Sequence, residues 1–259
     1  MKVSVFASGS SGNCLLLSSG GSSILIDAGI SMRRVTDGLN AAGHIWQDIG
    51  GVLITHEHSD HISGLSMILK HHPVPVYAPR TVANRLYGML PGIESCLRVI
   101  PVGERFSVGT LRVLAFHTPH DTDESVGYRV EGEGIFAHAT DMGHVSDEVL
   151  NGLLGADTAL IEANHDEQML RYGPYPVYLK RRILSDHGHL SNADCAGLAA
   201  RLADSGTRRI ILGHLSKENN RPELALQTVC AALDGRNTEI CCAPASGCLN
   251  VAVERGKLC

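Results

Sequence analysis

One block of six residues concentrates side chains that bind metal ions. The pattern H-x-H-x-D-H, formed by His56, His58, Asp60 and His61, begins one residue after the apolar run 51–54. In an extended segment alternate side chains share a face, so His56 and His58 point to the same side, and Asp60 and His61 follow where the chain turns into a predicted helix. Two ligand pairs therefore face two neighbouring positions, and imidazole with carboxylate suits zinc, iron or manganese. Two such ions can activate a hydroxide and hold a phosphate or carbonyl oxygen, so the block predicts a metal-dependent hydrolase.

A histidine-rich surface turn is the alternative interpretation of this block. It leaves unexplained why four potential ligands fall in this spacing at the end of an apolar strand. We therefore interpret the block as part of a metal site.

Short motifs distributed along most of the chain add to this interpretation. They lie at residues 8–13, 55–61, 119–121, 140–143, 162–166, 188–192 and 213–216. With these motifs the chain resembles hydrolases of the metallo-β-lactamase superfamily, most closely the YycJ (WalJ)-like branch. The chain departs from the lactamase-type pattern with a cysteine ligand, because no cysteine falls at those positions and the bridging position is Asp141.

The resemblance implies a dinuclear metal site with seven ligands. One metal would be held by His56, His58 and His120, the other by Asp60, His61 and His214, and Asp141 would bridge the two. The cofactor is thus predicted to be two divalent metal ions, zinc or manganese.

Two histidines compete for the third ligand of the first metal. His117 and His120 both lie near the end of the predicted strand 112–116. We choose His120 because the motif Pro119–His120–Asp121 matches the family pattern, whereas His117 is expected to lie within the strand.

Composition limits the classes of protein to consider. Hydrophobic residues make up 44% of the 259 residues, which excludes a disordered chain and allows a single large domain. The 22 Lys and Arg residues are outnumbered by 27 Asp and Glu residues, so a general basic surface for nucleic acid is absent. We find no secretory signal and no apolar stretch of the roughly 20 residues that a membrane helix needs. A soluble, cytoplasmic protein without a membrane partner is predicted, and the oligomeric state is left open.

Hydrophobic periodicity predicts an α/β fold with many strands. Strands are predicted at 2–7, 14–18, 23–27, 52–55, 98–101, 112–116, 126–131, 134–138, 158–162, 208–212, 239–243 and 249–254, and helices at 32–42, 62–71, 81–90 and 193–203. The resemblance implies their arrangement, an αββα sandwich of two mixed β-sheets with helices on the outer faces. No linker or repeat divides the chain, so one domain is predicted over residues 1–259.

Three further segments are predicted to bind substrate. The glycine- and serine-rich loop 8–13, with Ser11 and Asn13, could line the rim of the site or simply form a turn between two strands. Asn164 and His165 follow the predicted strand 158–162, at a sheet end where the family pattern has residues that line the site. Residues 172–182 combine tyrosines with the cations Lys180, Arg181 and Arg182, which can stack bases and contact phosphates, or can form a solvated helix.

His189 and Asp60 are predicted to be catalytic. Ser191 and Asp194 resemble a capping box, so His189 comes just before a helix N-terminus. This arrangement resembles the phosphodiesterase members of the superfamily, in which such a histidine gives a proton to the leaving group. The resemblance to the YycJ-like branch further implies DNA as substrate and exonucleolytic cutting from the 5′ end.

Two other functions remain open from the sequence. A thioester or lactone hydrolase of the same superfamily would use the same ligands on a carbonyl carbon. A non-enzymatic metal-binding scaffold would not require both metal sites to be intact. A redox di-iron protein is disfavoured because the second histidine of the block, His58, would be a glutamate.

Overall fold

A computed structural model describes residues 1–254 of the chain, and they form two β-sheets. The first sheet contains β1 (Lys2–Ala7), β2 (Cys14–Ser19), β3 (Ser22–Ile26), β4 (Ile49–Leu53), β5 (Val76–Pro79), β6 (Leu97–Ile100) and β14 (Leu249–Ala252). The second contains β7 (Arg105–Val108), β8 (Leu111–His117), β9 (Val126–Glu131), β10 (Ile135–Ala139), β11 (Thr158–Glu162), β12 (Arg209–Gly213) and β13 (Glu239–Cys242).

Strand direction decides which loops meet. The strand orders are β14-β1-β2-β3-β4-β5-β6 and β13-β12-β11-β10-β9-β8-β7. In the first sheet β3, β4, β5 and β6 are parallel, and in the second β10, β11, β12 and β13 are parallel. β8 pairs antiparallel with β9, which pairs antiparallel with β10, so β8 runs in the same direction as β10. The carboxyl ends of these strands therefore lie together at one edge of each sheet.

The described chain contains nine α-helices, six of which cover the outer faces of the sheets. They are α1 (Met32–Ala41), α2 (Ser59–Ile62), α3 (Leu65–His71), α4 (Arg80–Met89), α5 (Asp147–Leu153), α6 (Glu167–Tyr172), α7 (Val177–Ile183), α8 (Asn192–Asp204) and α9 (Pro222–Ala232), with short 3-10 turns at Trp46–Asp48 and Ile93–Ser95. α1, α3 and α4 pack on the first sheet and α5, α8 and α9 on the second.

Strand β11 illustrates why the central strands are apolar throughout. Leu160 faces the other sheet, whereas Ala159 and Ile161 face the helices, and all three are buried. Successive side chains of a strand point to opposite faces, so a strand covered on both faces needs an unbroken apolar run. The predicted αββα sandwich is confirmed.

The structure corrects two sequence-based boundaries beside the metal-binding block. The predicted strand 52–55 ends at Leu53, and the predicted helix 62–71 is divided into α2 and α3. Gly64 lies at the break and its N–H donates to the carbonyl of Ala28. A Cβ at Gly64 would lie 1.9 Å from the Ile30 carbonyl oxygen, so glycine is needed for this close contact between the block and the loop after β3.

Within residues 1–254, none of the helices has the length and apolar character needed to cross a membrane. The cytoplasmic location stays a prediction, as does a single domain over residues 1–259, whose last five residues lie outside the described part of the chain.

Candidate metal centre

Loops at the carboxyl ends of strands from both sheets bring the seven predicted ligands together. His56, His58, Asp60 and His61 follow β4 of the first sheet. Three others follow strands of the second sheet: His120 comes after β8, Asp141 after β10 and His214 after β12. The metal-binding block therefore lies across the seam between the two sheets from the remaining ligands.

The ligand atoms fall into two groups that share Asp141. His56, His58 and His120 form one group with donor atoms within 4.8 Å of one another, and Asp60, His61 and His214 form a second group. Asp141 lies between them, with Oδ2 3.3 Å from His61 Nε2 and Oδ1 3.8 Å from His120 Nε2. This division matches the two sets predicted from the sequence, and their role as ligands stays a prediction.

Two buried atoms in this cluster lack the partners that buried polar atoms normally have. Within residues 1–254, His56 Nε2 and Asp141 Oδ2 form no hydrogen bond, although both are inaccessible to solvent. Five imidazoles and two carboxylates form a donor set that suits first-row divalent metals such as zinc and manganese. The residues therefore fit a dinuclear metal centre.

The outer nitrogens of three buried imidazoles are each held by an oxygen atom. His61 Nδ1 lies 2.7 Å from Asp27 Oδ2, His214 Nδ1 lies 3.0 Å from Glu162 Oε1, and His120 Nδ1 lies 3.2 Å from the Gly188 carbonyl oxygen. A donor hydrogen on Nδ1 leaves Nε2 as the basic nitrogen that can bind a metal. Asp27 and Glu162 were not predicted as site residues.

Strained backbone marks the same region. Asp27, Asp141 and His214 have φ angles of 59°, 58° and 54°, and they are the only residues other than glycine with positive φ in the described chain. Such conformations cost about 1–3 kcal/mol each and persist where the surrounding structure enforces them. The left-handed backbone conformation of these three residues therefore directs their side chains toward the cluster.

Glu162 connects two histidines of the site. Its Oε1 accepts hydrogen bonds from the Nδ1 atoms of His189, at 2.7 Å, and of His214. Its Oε2 accepts from the backbone N–H groups of Met142 and Leu190. Burial opposes ionisation of this carboxyl, but the positive charge of His189 and the hydrogen bonds from His189 and His214 lower its pKa to about 2. One fully buried carboxylate thus fixes His189 relative to His214.

The carboxylates of the cluster stabilise the protonated, positively charged form of the neighbouring histidines. Burial lowers the pKa of His214, but the nearby Asp141 carboxylate and hydrogen bonds to Asp60 and Glu162 outweigh it and raise the pKa to about 10. The pKa of His189 is also raised above its usual value, because Glu162 outweighs the effect of burial. A cation bound here would take the place of such protons, as is general for metal binding at histidines.

The loop residues that were predicted to bind substrate differ in exposure. Ser11 is exposed, whereas Asn13 is 5% exposed and its Oδ1 accepts a hydrogen bond from the Gly9 N–H. The Asn13 side-chain nitrogen lies 3.1 Å from His61 Nε2 and 3.3 Å from Asp60 Oδ2. The loop therefore borders the second ligand group, and substrate contact stays a prediction.

Asn164 and His165 lie below the surface. Asn164 is buried and its amide donates to the His214 carbonyl at 2.9 Å, which supports the strained backbone of that predicted ligand. His165 is 1% exposed, and both of its ring nitrogens lack a partner within residues 1–254. Direct substrate contact by either residue stays a prediction.

The predicted cations lie on α7, beside the cluster. Arg181 is exposed, and Lys180 Nζ donates to the Arg171 carbonyl at 2.8 Å. Arg182 forms an ion pair with Asp121, the residue after the predicted ligand His120. The structure therefore brings this helix next to the metal centre, and its contact with phosphates stays a prediction.

Asp27→Asn is expected to weaken the second metal site selectively. An amide nitrogen at this position would donate to His61 Nδ1, which forces the ring hydrogen onto Nε2 and removes the lone pair that a metal needs. We expect affinity at the site of Asp60, His61 and His214 to fall by about 10- to 100-fold, with little change at the other site. Metal titration followed by elemental analysis measures this, and Asp48→Asn, a carboxylate outside the cluster, is the control. Equal weakening of both sites, or no change, would contradict the role given to Asp27.

Comparison with known proteins agrees with this geometry. Residues 22–215 match the family described as the beta-lactamase superfamily domain. Exodeoxyribonuclease YycJ of Bacillus anthracis is 38% identical over 233 residues, which cover 89% of this chain and 88% of the relative. Exodeoxyribonuclease WalJ of Streptococcus pneumoniae is 39% identical over 234 residues, which cover 88% of this chain and 86% of the relative.

A solved structure shares the fold over nearly the whole chain. The crystal structure of Zn²⁺-bound PqqB from Methylobacterium extorquens superimposes with a TM-score of 0.71 at 18% identity, covering 97% of this chain and all of that one. At this identity the similarity concerns the fold. Together with the family match and the two relatives, it shows that the chain belongs to the metallo-β-lactamase superfamily, where it is similar to the YycJ and WalJ exodeoxyribonucleases.

Proposed function

We propose that this protein is a metal-dependent exodeoxyribonuclease that removes nucleotides from the 5′ end of DNA, with two divalent ions, zinc or manganese, held by the seven ligands. Relatives named exodeoxyribonuclease that align over most of the chain support this proposal. The bound cations would supply an activated nucleophile and neutralise negative charge on the phosphate oxygens.

The observation that carries the proposal is the position of His189. Its Nδ1 lies 2.7 Å from the buried Glu162 carboxylate, and its ring centre lies 5.2 Å from those of His120 and His214. The side chain is 20% exposed, so a substrate can reach it. A histidine that is held through Nδ1 beside a metal cluster can donate a proton from Nε2 to a departing alkoxide.

Two carboxylates of the cluster would have different tasks. Asp60 is 21% exposed and Asp141 is 3% exposed, so of these two Asp60 is the more accessible from solvent. We assign Asp60 a catalytic role in addition to ligation, and Asp141 the bridging role.

The proposed DNA-binding residues come from three segments. They are Lys180 and Arg181 on α7, Ser11 and Asn13 in the loop after β1, and the more deeply placed Asn164 and His165.

A substrate panel tests the proposed function. Single-stranded DNA, duplex DNA and RNA, each labelled at one end, are compared with bis-p-nitrophenyl phosphate and a glutathione thioester, with zinc and with manganese. We expect labelled mononucleotides from 5′-labelled DNA in at least one metal. Hydrolysis of the thioester without DNA cleavage would instead support a thioester hydrolase, and inactivity on every substrate would support a metal-binding scaffold.

Replacement of Lys180 and Arg181 by alanine should weaken DNA binding, because the variant neutralises fewer phosphates. We expect a higher KM for DNA, and a salt dependence whose log–log slope is smaller by about 0.7 for each single-strand phosphate that is no longer neutralised. Steady-state kinetics over a range of NaCl concentrations measures both quantities. Arg33→Ala combined with Lys70→Ala removes two cations from α1 and α3 and serves as the matched control. An unchanged slope in the Lys180 and Arg181 variant would assign these residues to a solvated helix.

A further inference from the structure

Two buried asparagines beside the metal centre pair through both atoms of their side-chain amides. Asn192 Nδ2 donates to Asn220 Oδ1 at 2.9 Å, and Asn220 Nδ2 donates to Asn192 Oδ1 at 2.8 Å. The two residues are only 3% and 5% exposed. We call them the asparagine pair. Buried polar groups that are fully hydrogen-bonded hold the segments that carry them in one arrangement.

The asparagine pair joins the two segments whose histidines meet at Glu162. Asn192 is the first residue of α8, three residues after His189. Asn220 lies in the loop after β12, six residues after the predicted ligand His214. Glu162 Oε1 accepts hydrogen bonds from the Nδ1 atoms of both histidines, at 2.7 Å and 3.0 Å. The pair is therefore a second connection between the same two segments.

The segment that carries Glu162 takes part in this connection. Asn220 Nδ2 also donates to the Ala163 carbonyl at 2.8 Å, and the Asn192 N–H donates to the His165 carbonyl at 2.8 Å. Both carbonyls lie within three residues of Glu162 in the chain. The asparagine pair is thus attached to the segment of this carboxylate as well as to the start of α8.

The hydrogen bonds of the asparagine pair require an amide at both positions. One hydrogen on Asn220 Nδ2 is directed toward Asn192 and the other toward Ala163. Asn220 Oδ1 accepts from Asn192 and also from the Arg221 N–H at 2.9 Å. Asn192→Asp would remove a donor and place an oxygen against Asn220 Oδ1. The pair therefore depends on the donors and acceptors of its side chains, and a side chain of equal size cannot replace them.

We propose that the asparagine pair positions His189 for proton transfer from Nε2 to the leaving alkoxide, which makes Asn192 and Asn220 positioning residues of the reaction. This proposal rests on the proposed function for the role of His189. Glu162 fixes one atom of the imidazole, Nδ1, whereas the pair fixes the backbone from which the ring projects. A displacement of about 1 Å at a reacting group can lower the rate by about 10²-fold.

Asn192→Ala tests the proposal in steady-state kinetics. We expect kcat on DNA to fall by about 10- to 100-fold with unchanged metal content. The rate on bis-p-nitrophenyl phosphate should change far less, because p-nitrophenolate leaves without a proton. Asn192→Asp keeps the volume of the side chain and places a favourable charge at a helix N-terminus, so the same pattern in this variant would exclude misfolding as the cause. Asn151→Ala, which changes an exposed asparagine on α5, is the control.

A double variant separates positioning from a structural role. Once the imidazole of His189 is absent its position no longer matters, so Asn192→Ala should cause little further loss of DNA cleavage in the His189→Ala background. Rate losses that multiply in the double variant would overturn the proposal. Equal losses on DNA and on bis-p-nitrophenyl phosphate in Asn192→Ala, or a loss of metal from this variant, would also overturn it.

The hydrogen on Nδ1 of His189 gives a readout that does not depend on the substrate. Its proton NMR resonance in the zinc-loaded protein is identified by its absence from His189→Ala. We expect Asn192→Ala to shift this resonance and to speed the exchange of the hydrogen with water, and an unchanged resonance would contradict the proposal. If the wild type does not cleave DNA, the proposed function fails, while this resonance still tests whether the asparagine pair positions His189.

Discussion

His189→Ala is expected to reduce kcat on DNA by about 10²- to 10⁴-fold, the contribution of a positioned general acid. The reason is the poor leaving group: a nucleotide alkoxide needs a proton as it departs, whereas p-nitrophenolate leaves without one. The loss on bis-p-nitrophenyl phosphate should therefore be far smaller. Steady-state rates on both substrates, measured on protein of known metal content, give the comparison.

Metal content is the critical control for this variant. Asp141, Glu162, His189 and His214 also have donor atoms within 4.8 Å of one another, so ligation of a metal by His189 is the competing role. A fall in metal content in His189→Ala would identify it as a ligand, and equal rate losses on both substrates would identify a structural role. His187→Ala, an exposed histidine of the same loop, is the matched control and should behave as wild type.

Asp141→Asn is expected to lower the occupancy of both metal sites together. We expect about two transition-metal equivalents in the wild type, because the ligands form two sets and one bridge. The variant removes the charge of a carboxylate whose oxygens lie 3.3 Å from His61 Nε2 and 3.4 Å from His214 Nε2. Affinity at both sites should fall by at least about 10- to 100-fold, and DNA cleavage should fall with it.

Elemental analysis after equilibrium dialysis measures this effect. Asp123→Asn makes the same chemical change in an exposed carboxylate that pairs with Arg85, and it should keep both ions. A single equivalent in the metal-replete wild type would contradict the dinuclear centre. Loss of only one ion in Asp141→Asn would contradict the bridging role.

The grouping of the four predicted ligands of the block could be predicted from sequence because its geometry is local. His56, His58, Asp60 and His61 are neighbours in the chain, and a strand followed by a turn is sufficient to group them. The supporting carboxylates could not be predicted in this way. Asp27 lies 34 residues from the imidazole it holds and Glu162 lies 52 residues from His214, so both contacts depend on how the sheets assemble. Their only local signal is a carboxylate at the end of an apolar strand.

The predicted substrate-binding residues show the same limit, because their contacts also depend on residues far away in the chain. Asn164 follows the strand that the sequence predicted, yet its amide supports the His214 backbone, a partner 50 residues away. The helix α9 was not predicted, whereas the N-cap of α8 was, because Ser191 Oγ accepts a hydrogen bond from the Asp194 N–H within a single turn. Patterns within one turn could be interpreted from sequence, and contacts between elements could not.

The predicted metal ligands are divided between the two sheets, and this division has a consequence for stability. Bound ions would close the open edge of the sandwich, joining segments as far apart in the chain as Asp60 and His214. A ligand present at 100 times its dissociation constant stabilises the folded state by about 2.7 kcal/mol. Chelation should therefore loosen this edge before the distant core, so that the loops of the metal centre become the first sites of proteolytic attack. The ions that serve catalysis would thus also act as removable cross-links.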